Sequence, residues 1–417
     1  MPEIIKPTQT NTRLSVLDFL RGIAVLGILV INIESFSYPS PWSPYQNGFF
    51  NSIDTHTRFW VFFLAQGKFF GMFTLLFGVG FYMFLERLEQ KNIGVKALDI
   101  YARRLLWLFV IGVVHAYLIW DGDVLYHYAI CGFLLFPFRS FSVKQLLLVL
   151  VIPVSVLLFN SYERTKRVKN QYEAYQVAEA KLEVDRTEDD QKKIDSWLKK
   201  TVEKKKSDER LEPIRNHYFD SIAANAENHK IHQGYLMYNG ILFRTLIMML
   251  LGILLYKTGI FKDYHALPYY WWITGGIVVI SLVVNYFRYY HWTYTYFNPV
   301  IDYWKGWLFT FPKELGGLSY ILLLNGIYQK FLGGRMSKLI SNMGRMALTN
   351  YIVQSIICGF IFYGYGFGLY GQYSRFELLV FIFGIWIFQI LASWLWLKKL
   401  DQGPLEALWR KLTYRSF

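Results

Sequence analysis

The sequence predicts an all-α integral membrane protein, a polytopic bundle of about ten transmembrane helices interrupted by a charged helical extracytoplasmic insert. Three observations carry that expectation. Of 417 residues, 54% are hydrophobic and 19% aromatic, more than the surface of a soluble domain tolerates. Apolar runs of membrane length recur along the chain, and a bilayer core about 30 Å thick takes roughly 20 apolar residues in a helix whose backbone groups pair internally. The Lys and Arg residues between the runs also favour alternate loops.

The runs lie near 15–33, 57–86, 104–120, 124–138, 145–161, 236–256, 268–287, 306–329, 345–363 and 377–397; the second is long and the fourth short. Alternating the loops between two sides puts 20 Lys and Arg residues on the side of the N-terminus. Only Arg58, Arg288, Lys305 and Arg375 fall opposite once the long insert is left out. The positive-inside rule then expects both termini in the cytoplasm of a bacterial inner membrane. Lys6 and Arg13 precede the first run, but no small-residue cleavage site follows before Tyr38 and Pro39, so that helix is expected to remain as an anchor. The expected domains are an N-terminal half over 1–161, a hydrophilic insert over 162–235 and a C-terminal half over 236–417.

Between Tyr162 and Gln233, 16 Lys and Arg meet 15 Asp and Glu, so nearly all of the net charge of +14 sits in the membrane part. The apolar runs separate the basic clusters, which suits anionic lipid headgroups and argues against a nucleic-acid partner. Within the insert, Tyr172, Tyr175, Val177, Ala178 and Leu182 space an apolar face in a charged background, which predicts a helical hairpin; a charged spacer is the alternative. Cys131 and Cys358 each lie inside an apolar run without a partner at metal or redox spacing, so they read as packing residues and no metal is expected.

Ionisable side chains inside spans cost at least ~2.5 kcal/mol each, which makes them functional candidates. They sort to two depths. At the cytoplasmic end, Ser15 and Asp18 fit a capping box, and Arg21 one turn on either pairs with Asp18 or, beside the bare Gly22, receives a phosphate. Arg103, Arg104 and Arg345 lie at similar depth, singly as anchors or together as an anion site. Toward the outer end lie Asn32, Glu34, Lys68, His115, Asp121, Asp123, His127, Arg244, Lys313 and Glu314. His115 can form a base with Asp121 if its helix ends at Trp120; a histidine satisfied by a neighbouring helix is the alternative. Asp121 and Asp123 around a glycine read as a turn rather than a metal pair.

Pro312 and Gly316-Gly317 predict a helix broken around Lys313 and Glu314 that lines a cavity. Those two charges cannot pair along one helix face, so Lys68 is the expected partner of Glu314. Asn350, Gln354 and Ser355 form a polar stripe that either meets substrate or joins helices.

Several segments resemble the YeiB family of bacterial inner-membrane proteins, whose C-terminal half is a domain of unknown function. They are Leu17-Asp18-Phe19-Leu20-Arg21-Gly22, Gly67-Lys68-Phe69-Phe70, Leu75-Leu76-Phe77-Gly78-Val79-Gly80-Phe81, Gly344-Arg345-Met346-Ala347-Leu348-Thr349-Asn350-Tyr351 and Gly403-Pro404-Leu405-Glu406-Ala407-Leu408-Trp409-Arg410. The likeness spans almost the whole chain except the insert.

More distantly, the opening Leu17-Asp18 to Arg21-Gly22 resembles the first helix of transmembrane acyltransferases. These include bacterial O-acetyltransferases of surface glycans and the lysosomal heparan N-acetyltransferase. In the former group an essential histidine follows the arginine by eleven residues, where this chain has Asn32. The lysosomal enzyme resembles an Arg-Gly helix that ends in Asn, with its histidine in the following loop, where His56 stands here.

The resemblance implies acyl transfer from a cytoplasmic acyl-CoA to an extracytoplasmic glycan or small-molecule acceptor. Asp18, Arg21, Gly22, Arg103, Arg104 and Arg345 are then the candidates to hold the donor, and His115 or His56 the base, with Asp121 and Glu34 beside them. Asn32, Lys68, Arg244, Lys313, Glu314, Asn350 and Gln354 are the candidates to meet substrate. The rival expectations are a transporter or exporter of an anionic solute, since broken helices and buried charges serve transport equally, and a non-catalytic membrane protein.

Overall fold

The computed structural model describes residues 14–38, 41, 48–49, 51–206, 217–231, 240–294 and 310–414. Among them are fifteen α-helices and no strand. The first half holds α1 (Ser15–Ser37), α2 (Ser52–Leu64), α3 (Lys68–Glu89), α4 (Val95–Leu118), α5 (Leu125–Leu135) and α6 (Val143–Glu179). Then come α7 (Glu188–Lys206), α8 (Tyr218–Ile231), α9 (Leu242–Lys257), α10 (Tyr270–Tyr294) and α11 (Pro312–Phe331). The chain closes with α12 (Arg335–Arg345), α13 (Ala347–Phe362), α14 (Arg375–Trp396) and α15 (Pro404–Tyr414).

The protein is a multi-pass membrane protein. Among the described residues, five segments are long and apolar enough to cross a bilayer: Ser15–Ser37, Ser52–Glu89, Val143–Glu179, Tyr270–Tyr294 and Arg375–Trp396. A sixth is added if α12 and α13, bent by 79°, count as one. Other expected spans rest on shorter helices, such as the 11 residues of α5 and the 16 of α9, or on helices that carry charge near their start, such as α4 and α11. Apolar side chains stand exposed on the outward faces of α6, α10 and α14, for example Leu148, Ile152, Val279, Val380 and Ile387. Lipid solvates such a face, whereas water does not.

The core forms around α1. Leu20, Ala24, Val25 and Leu29 are fully buried, and α1 packs against α3, α11, α12, α13 and α14. The α1–α12 crossing is close because glycines meet backbone there: a Cβ on Gly22 would lie 2.1 Å from the Ile340 carbonyl oxygen, and one on Gly344 would lie 1.7 Å from that of Asp18. Gly22 is therefore occupied by a neighbouring helix and offers no bare backbone to a phosphate. The capping box at Ser15 does not form either, since the N-cap is Leu14 without a side-chain bond.

The expected second span is two helices joined at Ala65–Gly67. Gly67 turns the chain with φ +73°, and the Lys313 side chain fills the space where its Cβ would stand. Pro312 begins α11 at its first turn, where a missing N–H costs nothing. The residues before it, 295–309, lie outside the described residues, so the expected break is seen as a helix start. Gly316 and Gly317 serve packing: the Lys68 side chain crosses the first and the α3 backbone the second.

No chain break marks the start of the insert. α6 runs as one helix of 37 residues from its apolar half into its charged half. α7 packs back against α6. Trp197 packs on Tyr172 and Tyr175 at ring-centre distances of 5.2 and 6.0 Å, Ala178 is buried, and Lys181 Nζ lies 2.7 Å from Asp190 Oδ2. Val177 and Leu182 stay exposed. α8 returns to the end of α4, where the Tyr218 hydroxyl donates to the Leu118 carbonyl at 2.8 Å and Asn225 Nδ2 to that of Tyr117 at 3.3 Å.

Candidate functional site

A cavity of about 610 Å³ opens at the end of the bundle where α1 and α4 begin. Five arginines, Arg21, Arg87, Arg104, Arg345 and Arg410, line it against three carboxylates, Asp18, Asp401 and Glu406. Arg21 Nη1 lies 3.2 Å from Asp18 Oδ1, and Arg345 Nη2 donates to the Asp401 carbonyl at 2.7 Å. The glycine beside Arg21 is Gly80, whose Cβ would lie 3.4 Å from Arg21 Nη2.

Arg104 is held between aromatic rings, its guanidinium 4.4 Å from the centre of Phe84 and 3.8 Å from that of Trp409. Glu406 caps α13: its Oε1 accepts from the backbone N–H groups of Leu348 and Thr349 at 2.7 and 3.1 Å, and its Oε2 accepts from the Thr349 hydroxyl at 2.6 Å. Burial raises the Glu406 carboxyl above its ordinary range, while those hydrogen bonds pull the other way.

Inward from the arginines the walls become aromatic, with Phe73, Phe77 and Phe81, and Tyr351 is among the lining residues there. Tyr351 also lines a second cavity of about 50 Å³, together with Asn32, Gly67, Phe69, Phe70, Gly122 and Val124. Among the lining residues it alone is common to both, so the two cavities adjoin at this residue, their partition. The ring of His115 lies 5.1 Å from that of Tyr351. His115 stands eleven residues after Arg104 on α4, about 16 Å along the axis.

Three buried side chains meet at this partition. His115 Nδ1 lies 2.7 Å from Asp123 Oδ1, and His115 Nε2 lies 2.9 Å from Ser355 Oγ. Asp123 is itself oriented, because its Oδ2 accepts from the Tyr126 backbone N–H at 3.1 Å. With Asp123 ionised and the imidazole neutral, Nδ1–H donates to Asp123 and Nε2 is left to accept from the Ser355 hydroxyl. That arrangement can take a proton from a hydroxyl or from a group displacing it.

The partners expected from sequence are partly exchanged. His115 pairs with Asp123 rather than Asp121 because α4 ends at Leu118 and the chain turns sharply; Asp121 instead accepts from Asn228 Nδ2 on α8 at 2.5 Å. His56 is exposed, with Nδ1 2.6 Å from the Ser52 carbonyl of its own helix, and is not brought to the partition. Glu34 is bound to Arg375 at 2.9 Å, and Asp54 accepts from the Arg375 backbone N–H at 2.6 Å, a buried knot joining α1, α2 and α14.

Arg103 turns away from the cavity to Asp99 at 2.6 Å. Glu314 pairs with Arg244 at 2.6 Å rather than with Lys68. Lys68 donates to the Phe62 carbonyl at 3.3 Å and lies 4.6 Å from the centre of the Tyr289 ring. Asn350 and Gln354 join helices: Asn350 Nδ2 donates to Ser393 Oγ at 3.0 Å, and Gln354 Nε2 donates to Gln389 Oε1 at 2.9 Å and to the Val25 carbonyl at 3.1 Å.

Arg87, Arg410, Trp409 and Tyr351 enter the site without having been singled out for it. The arginines were legible only as membrane-surface charge. Ser355 was legible as the third member of a stripe, but its separation from Gln354 needed the helix rotation.

Residues 255–416 match the family described as "Protein of unknown function (DUF418)". The chain is similar to "Uncharacterized protein YxaH" of Bacillus subtilis (strain 168), 31% identical over 99% of this chain and 97% of that protein. It is also similar to "Uncharacterized protein YeiB" of Escherichia coli (strain K12), 29% identical over 96% of each. An uncharacterized 39.9 kDa protein in the amylase 3' region of Bacillus acidopullulyticus is 24% identical over 98% of this chain and 96% of its own length. No solved structure matches the chain. Likeness along nearly the whole length, together with the C-terminal match, places the chain in the YeiB-like family of membrane proteins with a domain of unknown function.

Proposed function

We propose that the protein is a membrane-embedded acyltransferase that moves an acyl group from a cytoplasmic acyl-CoA to a glycan or small-molecule acceptor on the outer side. The observation that carries this reading is the cavity that opens among arginines and reaches Tyr351, whose ring lies 5.1 Å from His115. Its volume is within the range of about 300–1,000 Å³ usual for cofactor-sized ligands. Guanidinium forks suit the phosphates of CoA, and the aromatic walls suit the thioester arm. His115, oriented by Asp123, is the base, and proton transfer of this kind is worth about 10² to 10⁴ in rate. Asn32 lines the smaller cavity, which would have to widen to admit an acceptor.

The reading includes a topology of about ten spans in the bacterial inner membrane with both termini cytoplasmic, supported by the 20 to 4 division of basic residues. Reporter fusions at Glu188 and Phe417 check it, with opposite compartments expected.

The test of function is binding of a CoA ester to the purified protein in detergent. Arg21→Lys keeps the charge but loses the fork, so binding should fall while the melting temperature holds. Absence of CoA-ester binding by the unmodified protein sinks the acyltransferase reading. A second reading, export of an anionic solute, is favoured by Tyr351 lining both cavities, where its movement would join them. Solute flux from vesicles without release of CoA thiol would select it.

A further inference from the structure

We propose that Ser355 carries the acyl group as a transient ester, so that the group passes the Tyr351 partition attached to α13. This rests on the acyl-transfer reading. The first support is the unbroken chain from the Tyr126 N–H through Asp123 and His115 to the Ser355 hydroxyl, with links of 3.1, 2.7 and 2.9 Å. A serine is activated as a nucleophile by a base that is in turn oriented by a third group.

The bland account is a polar knot that joins helices, and two comparisons within the protein weigh against it. Helical hydroxyls here commonly satisfy themselves on the carbonyl four residues back, as Ser37 does on Ile33 at 2.9 Å and Thr74 on Phe70 at 2.8 Å. Ser355 is instead placed against a ring nitrogen. The other buried histidine–hydroxyl pair, His127 with Thr245 at 2.9 Å, has no carboxylate among the partners described for its ring. Of the two pairs, only the one at Ser355 has, among the partners described, the third group that orients a base.

Position supplies the second support. Ser355 follows Tyr351 by four residues on α13, hence on the same face and about 6 Å farther along the axis. The serine lines neither cavity and stands one turn beyond Tyr351, which lines both, so the Tyr351 side chain has to move for a thioester to reach it. Because Tyr351 is the one lining residue that the two cavities share, a covalent way-station lets CoA depart before the acceptor arrives.

In the first step Ser355 Oγ gives its proton to His115 Nε2 and attacks the thioester carbonyl carbon. The C–S bond breaks, and the sulfur leaves as the CoA thiol with the proton from Nε2. In the second step an acceptor hydroxyl or amine gives its proton to Nε2 and attacks the ester carbonyl. The bond to Oγ breaks, and Ser355 takes the proton back.

The experiment incubates the purified full chain with acetyl-CoA labelled in the acetyl group, then maps the label by peptide mass spectrometry. The expected result is one acetyl ester, cleaved by alkaline hydroxylamine, on the peptide that holds Ser355, with release of one CoA thiol per chain. Ser355→Ala should lose the label and slow thiol release at least ~100-fold while still binding acetyl-CoA. Ser355→Cys should take the label as a thioester, which neutral hydroxylamine cleaves, so a poorly folding alanine variant leaves the question decidable. Binding of acetyl-CoA without acetyl-Ser355 in the unmodified protein overturns this inference and leaves acyl transfer standing as direct. No binding at all overturns both.

Discussion

Arg104 and Trp409 hold one another twice: the guanidinium lies 3.8 Å from the centre of the indole ring, and the indole N–H donates to the Arg104 carbonyl at 2.9 Å. The contact ties α15 to α4 across the mouth of the cavity and fixes one of its arginines. Trp409→Phe keeps the ring and loses one hydrogen bond, so it should cost about 1 kcal/mol. Trp409→Ala should cost about 3 to 5 kcal/mol and weaken CoA-ester binding as well. Melting temperature and ligand binding measured on both variants separate the two effects.

Gly344 and Gly22 belong to the α1–α12 crossing, where a Cβ would stand 1.7 and 2.1 Å from backbone oxygens. Backbone cannot step aside as a side chain can, so Gly344→Ala should destabilise by at least ~1 to 3 kcal/mol. Gly80→Ala meets only the tip of Arg21 at 3.4 Å and should leave the melting temperature nearly unchanged. A Gly22→Ala protein that melts normally and loses only ligand binding would return Gly22 to the phosphate site.

Glu314 and Arg244 should show coupling in a double-mutant cycle. Breaking a fully buried pair costs about 3 to 5 kcal/mol. The Arg244 side chain is 34% exposed, so screening lowers the expected figure to about 1 to 3 kcal/mol. The matching cycle of Lys68→Met with Glu314→Gln should be additive. Strong coupling there, measured by thermal stability, would contradict the observed pairing.

Asp123→Asn preserves shape and replaces the acceptor that orients His115. The amide can donate to the imidazole and favour the tautomer that leaves Nε2 protonated toward Ser355. Acyl transfer should fall by about 10² to 10⁴ with little change in CoA-ester affinity. Equal losses of binding and rate would point to collapse of the partition instead.

Glu406 offers a pH test on a helix outside the membrane-spanning segments. Its folded carboxyl is raised by burial, so the folded protein holds this proton more tightly than the unfolded one. The associated stability is full below the ordinary carboxylate range and is lost as pH rises through the raised value. Glu406→Gln keeps an acceptor for the α13 N-terminus without the buried charge. It should melt no lower than the parent at neutral pH, with the gap closing as the solution is acidified. Glu406→Ala loses the cap, about 1 kcal/mol, and the linked proton with it, so its deficit should grow as the solution is acidified.

The amino-acid sequence by itself determined that this is a helical membrane protein of the YeiB-like family, because lipid excludes unpaired backbone and apolar runs of span length are visible one by one. It also made visible which charges resist that exclusion, from Asp18 and Arg21 to Lys313 and Glu314.

What only the tertiary structure decided is who meets whom. Glu314 takes Arg244 across 70 residues, and His115 takes Ser355 across 240. Such pairings depend on helix rotation and crossing, which a single sequence does not encode locally. The same holds for Gly22, bare in sequence and covered by Ile340 in the fold, and for Asp123, which replaces Asp121 once α4 stops at Leu118. The long second span stays one membrane-crossing segment, but its two helices show only in the structure: one glycine in a left-handed turn joins them without changing the composition of the apolar run.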